Sequence, residues 1–133
     1  MARTEVIIDP IRVMYVEAKE GLSGVSEAWS ELESRLPNLK KRKFYGTYHS
    51  KDKVYRACVA ISDEEEPKAL ALPAWTIPGG KYAREKVIDY SSRVEIIGET
   101  FESMAKEYKS DPNRPSIEFY RSQREVILLL PII

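Results

Sequence analysis

The sequence predicts an α+β fold made of two β-α-β-β units, and three observations predict it. Strand, helix and hairpin patterns occur in that order and then occur again. Trp29 precedes FYGTYHSKDKVYRACVAI at nearly the offset that separates Phe101 from IEFYRSQREVILLLPI. At 133 residues the chain has the length of one domain, 1–133, with a self-sufficient core. Two such units, about 5–62 and 70–133, are expected to join their strands in one antiparallel sheet around a pseudo-two-fold axis. Both helices then lie on one face, and the opposite face is left as a ligand cleft.

The first element is VIIDPIRVMYV, Val6 to Val16, rich in β-branched residues but interrupted by Asp9-Pro10, which predicts an edge or bulged strand. Val25, Ala28, Trp29, Leu32 and Leu36 follow at helical spacing, with Ser23 as N-cap and Pro37 as the stop. FYGTYHS and VYRACVAIS, joined across SKDK, read as a hairpin. DEEEPK, Asp63 to Lys68, is a short charged connection, and LALPAWTIPGG leads into the long strand KYAREKVIDY. Ser92 and Glu95 fit a capping box for a second helix with the stripe Val94, Ile97, Phe101, Met104, Ala105 and Tyr108. After the turn DPNRP, SIEFYRS and REVILLLPI form a last hairpin across Ser122-Gln123.

Composition narrows the function classes. The chain carries 21 basic and 21 acidic residues, so no net field gathers DNA or an anionic membrane. A single cysteine, Cys58, excludes an internal disulfide and a thiolate zinc site, and a single histidine, His49, argues against metal chemistry. No metal or other cofactor is therefore expected. MARTEVIIDP lacks the apolar core of a secretory leader, and no window approaches a membrane span, so a cytoplasmic location is expected. Eight tyrosines and two tryptophans supply rings enough to line a cleft.

Within SIEFY, Glu118 interrupts an apolar strand. Alternation puts it on one face with Tyr120, and Ile117 with Phe119 on the other. Either Glu118 faces water and pairs with Arg121 or Arg124, or it looks into a cleft. In the cleft, its desolvated carboxyl rises in pKa and suits a lipophilic cation held by ring faces, or general acid–base work. The remaining polar candidates are weaker. His49 reads as an exposed loop-end residue, Cys58 as core, and Lys40 to Lys43 as a solvated edge. DEEE lacks the spaced ligands of a calcium loop, and GGK at Gly79 to Lys81 lacks the remaining residues of a P-loop.

Taken together, KFYGTYHS, VYRACVAI, TIPGGKYAREKV, RPSIEFYRS and ILLLPI resemble the GyrI-like small-molecule-binding domain, the effector-binding half of AraC-type and MerR-type regulators. The likeness runs from about Val6 to Ile133. It implies the duplicated fold, with Glu118 as the central buried acid and Tyr45, Tyr55 and Tyr82 as pocket-lining rings. Trp75 and Tyr120 join them by their position beside these motifs. No helix-turn-helix precedes the domain, so a stand-alone member that does not bind DNA directly is expected, as monomer or dimer. The leading expectation is a binding protein that senses or sequesters lipophilic, cationic or planar aromatic compounds. The alternatives are a hydrolase that uses Glu118 as its catalytic residue against cyclopropane-type DNA-alkylating compounds, and a gyrase-modulating protein.

Overall fold

The structure, a computed structural model, describes residues 3–19 and 21–133. Met1 and Ala2, which open the stretch read for a leader, and Glu20 lie outside the described residues. Eight strands form one curled antiparallel sheet: β1 (Thr4–Ile8), β2 (Ile11–Glu17), β3 (Phe44–His49), β4 (Val54–Ala60), β5 (Ala74–Ile77), β6 (Gly80–Ile88), β7 (Ser116–Tyr120) and β8 (Glu125–Pro131). The helices are α1 (Val25–Arg35), the one-turn α2 (Glu66–Ala69) and α3 (Glu95–Glu107). The strand order β1-β6-β8-β7-β3-β4-β2-β5 reads the same from either end when each strand is exchanged for its counterpart four places along the chain. The central pair is β3 with β7, with Gly46 opposite Glu118.

Where the expected first strand runs from Val6 to Val16, the structure has two. Proline lacks an N–H for the ladder, and the chain breaks at Asp9-Pro10. β1 forms one edge against β6, whereas β2 sits inside the sheet between β4 and β5. Likewise, Ala74–Ile77 of the stretch read as a lead-in is the edge strand β5, and DEEEPK contributes α2.

Neither helix starts as expected. Gly24, not Ser23, is the N-cap of α1, and it makes no side-chain cap hydrogen bond. A Cβ at Gly24 would collide with the Lys19 carbonyl, so this close approach selects glycine. Val94 is the N-cap of α3, and the Ser92 hydroxyl donates instead to the Asp89 carbonyl at 2.9 Å. A 3₁₀ turn at Tyr90–Ser92, entered through Asp89 at φ 56°, carries Ser92 away from the capping position.

Strand alternation divides the core in two. On the helix face, Ala28, Leu32 and Leu36 of α1 pack with Met14, Ala57 and Val59, while Met104 of α3 packs with Ala83, Val126, Leu128 and Leu130. On the other face, the curl of the sheet closes over Val13, Tyr45, Cys58, Ile77, Tyr82, Ile117, Ile127 and Leu129. That face therefore fills with its own side chains. Among the described residues, no helix is long and apolar enough to cross a membrane.

Arg42, from the basic run, is engaged within the fold. Its terminal amino groups donate to Glu66 at 2.7 and 2.8 Å and to the Ala60 carbonyl at 2.9 Å. The guanidinium holds the Glu66 carboxyl down at about 2. A carboxyl lowered in the folded state stabilises the fold above its unfolded pKa, about 4.3, and this contribution fades as pH falls through about 2. Replacing Arg42 with Met is therefore expected to lower the melting temperature at pH 7. The deficit should shrink between about pH 4 and pH 2. A deficit as large at pH 2 as at pH 7 would assign the loss to packing.

Candidate functional site

A cleft of about 760 Å³ opens on the helix face between α1 and α3. The expected placement on the face opposite the helices is thus corrected, because there the curled sheet packs core side chains around Tyr45, Tyr82 and Ile117, and Glu118 lies on the helix side. Trp29, Tyr48, Ile97 and Phe101 line the walls, and Glu118 and Tyr55 line the cleft from the central strands.

Glu118 is brought here by three local facts. Its place on β7 puts it on the helix face with Tyr120, two residues on. Gly46 lies opposite on β3 and leaves space above the strand. Tyr55 enters over that space from β4: a Cβ at Gly46 would collide with the Tyr55 hydroxyl and lie 2.5 Å from Glu118 Oε1. The glycine is what allows the tyrosine and the glutamate to meet.

Both hydroxyls converge on one oxygen. Tyr120 donates to Glu118 Oε1 at 2.6 Å and Tyr55 donates to it at 3.0 Å, while the Trp29 indole N–H donates to the Tyr55 hydroxyl at 3.0 Å. Tyr120 packs edge-on against Trp29, with centroids 5.5 Å apart, and lies 5.7 Å from Tyr90. Glu118 Oε2 makes no hydrogen bond among the described residues, where no side-chain polar atom is sealed from solvent without a partner. Oε2 is therefore the oxygen left open to the cleft.

Burial raises the Glu118 carboxyl above the usual carboxylate range, against the opposing pull of the Tyr120 and Tyr55 hydrogen bonds. Burial, then the neighbouring carboxylate, pushes both phenols well above their ordinary value, so they remain donors at any physiological pH. The arrangement is a carboxylate with one oxygen anchored and the other presented in an apolar, ring-lined space.

Of the six residues expected at the site, the fold gathers Glu118, Tyr55 and Tyr120. It places the other three on the opposite face. Tyr45 stacks on Phe119 at 5.0 Å; Tyr82 is fully buried and donates to the Pro78 carbonyl at 2.7 Å; Trp75 lies edge-on to Tyr15. Alternation decides this, since Tyr45 and Tyr55 sit at opposite parity on their paired strands, Tyr45 facing Cys58 and Tyr55 facing Tyr48. The water-facing alternative for Glu118 is not formed, because Arg124 pairs with Asp89 at 3.0 Å and Arg121 lies 3.8 Å from Glu125. Trp29 is the site residue that the helical stripe hid. An indole N–H on an apolar stripe needs an acceptor, and that need is the signal that Trp29 borders a polar group.

Cys58 is fully buried, and burial pushes its thiol up to about 12. It is expected to resist a maleimide or disulfide reagent in the native protein at pH 8 and to react once the chain is unfolded in guanidinium. Fast native labelling would contradict the buried placement.

No family model matches the sequence, and no curated protein matches it. Solved structures match its fold over nearly the whole chain. An integron cassette protein from the mobile metagenome of Vibrio cholerae is 15% identical over 98% of this chain and 95% of that one, with a TM-score of 0.78. The EcmrR C-terminal domain is 10% identical over 99% and 97%, at 0.69. SAV2435, solved bound to tetraphenylphosphonium, is 8% identical over 100% and 94%, at 0.63. The chain shares the fold of these structures, which is the fold that the resemblance to GyrI-like domains implied.

Proposed function

We propose that this protein binds small lipophilic cations in the cleft between α1 and α3, with Glu118 as the counter-charge, and so senses or sequesters xenobiotic compounds of that class. One observation carries the reading: an unpartnered carboxylate oxygen at an apolar cleft walled by Trp29, Tyr48 and Phe101. Aromatic faces favour a diffuse cation by about 0.5–2 kcal/mol per contact, and a carboxylate freed of competing N–H donors keeps its attraction for it. The fold shared with SAV2435, a protein solved with tetraphenylphosphonium, supports the same class of ligand.

The test is a tryptophan-fluorescence titration with tetraphenylphosphonium, with Trp29 as reporter. Saturable quenching in wild type that is lost in Trp29→Phe supports the site. Quenching that survives in Trp29→Phe places the cation elsewhere.

A second reading uses the same groups for chemistry. A carboxyl with raised pKa beside two phenol hydroxyls is suited to activate water against a strained electrophile, with Glu118 taking the proton and a tyrosine hydroxyl donating to the opening ring. Mass analysis of a cyclopropane-bearing electrophile after incubation separates the two. A water adduct formed by wild type and not by Glu118→Gln selects the hydrolase, and unchanged compound selects binding alone.

A further inference from the structure

A second cavity, about 380 Å³, opens on the face away from the helices, at the end of the sheet where β3, β4 and β5 meet the loop before β7. Thr47, His49, Asp52, Arg56, Trp75 and Asn113 are among its lining residues. Here the polarity is inverted relative to the Glu118 cleft, because the groups held ready are donors.

Arg56 is fixed on three sides. Its guanidinium carbon lies 4.4 Å from the Tyr15 ring centroid and 4.5 Å from that of Trp75, and its Nε donates to Glu17 at 3.2 Å. Among the described residues, Glu17 meets only the Nε of Arg56, and the two terminal amino groups make no hydrogen bond. His49 is fixed in a similar way, with Nδ1 3.0 Å from Asp52 Oδ2 and no hydrogen bond at Nε2. A held guanidinium fork with free ends is matched to a carboxylate, which it grips with two parallel N–H···O bonds and little further loss of side-chain freedom. Trp75, Val54 and Pro78 supply an apolar flank beside these donors.

We infer that this cavity is a second ligand site, separate from the Glu118 cleft, for a small planar aromatic carboxylate. The carboxylate lies on the terminal amino groups of Arg56 with His49 beside it, and the ring lies along Trp75. The volume limits the ligand to one or two fused rings.

The probe is 2-naphthoate, compared with the neutral 2-naphthamide of the same shape, titrated into the ¹⁵N-labelled full chain and followed by NMR. Shifts are expected at the Trp75 indole N–H and the Arg56 Nε–H, with the Trp29 indole unmoved. Binding should weaken at least about tenfold for the amide and for Arg56→Gln, the loss of one charge-assisted pair. Arg56→Lys, which keeps the charge without the fork, should also weaken it. If Arg56→Gln fails to fold, the acid–amide comparison on the wild-type chain decides. Equal binding of acid and amide, shifts centred on Trp29, or no shift with millimolar naphthoate overturns the proposal.

Discussion

Replacing Glu118 with Gln is expected to weaken tetraphenylphosphonium binding about 10- to 100-fold while raising thermal stability at neutral pH. Glutamine keeps the oxygen that accepts from Tyr55 and Tyr120 but removes the charge, so the variant isolates electrostatics from shape. The affinity loss corresponds to about 1.4–2.8 kcal/mol, the range for one charge pair in a partly desolvated site. The stability gain has the sign of the raised carboxyl. A carboxyl raised by folding stabilises the native state below its unfolded pKa, about 4.3, and that contribution is lost as pH rises through the folded value. At pH 7 the fold therefore carries the cost of disfavouring ionisation of this carboxyl, and Gln removes that cost. Melting curves of the two proteins should converge below about pH 4. A variant that binds as well as wild type would remove Glu118 from recognition, and one that melts lower at pH 7 would mean the charge stabilises the fold.

Gly46→Ala should damage the site without replacing any side chain that would contact ligand. The added methyl meets the Tyr55 hydroxyl and the Glu118 carboxylate, so one of them has to leave the hydrogen-bonded cluster. Gly46 is buried on the central strand, where overpacking costs about 1–3 kcal/mol. Cation binding should fall at least about tenfold together with the loss of stability. The distinguishing comparison is Gly46→Ala combined with Tyr55→Phe. Removal of the hydroxyl that the methyl strikes should recover part of the stability lost to Gly46→Ala, giving a double-mutant coupling of about 1 kcal/mol. Strict additivity of the two changes would mean that Gly46 is selected for something other than this contact.

The architecture was legible because both kinds of periodicity are strong. Ala28, Leu32 and Leu36 mark the buried side of α1, and the unbroken VILLL run of β8 marks a strand covered on both faces. Glu118 and Tyr120 could be placed together because they are two residues apart on one strand. What sequence could not supply was the direction of curl. A sheet expected to be open on one side instead closes over Tyr45, Tyr82 and Ile117, which moves the cleft to the helix side and removes two of the expected tyrosines from it. Tyr45 and Tyr55 differ in parity, but parity alone does not say which set faces the helices. The same step decides Trp75, which ends beside Arg56 rather than Glu118. The helix starts failed for a different reason: each is preceded by a 3₁₀ turn that displaces the serine whose hydroxyl would have capped it.

In the proposed site, the free oxygen of Glu118 answers the charge of a cationic ligand. The most direct test follows the Glu118 side-chain carboxyl by ¹³C NMR through a pH titration, with and without saturating tetraphenylphosphonium. The expected result is a carboxyl pKa above the ordinary range in the free protein and a fall when the cation binds, because a neighbouring positive charge favours the ionised form. A bound cation that leaves the Glu118 titration unmoved would contradict it.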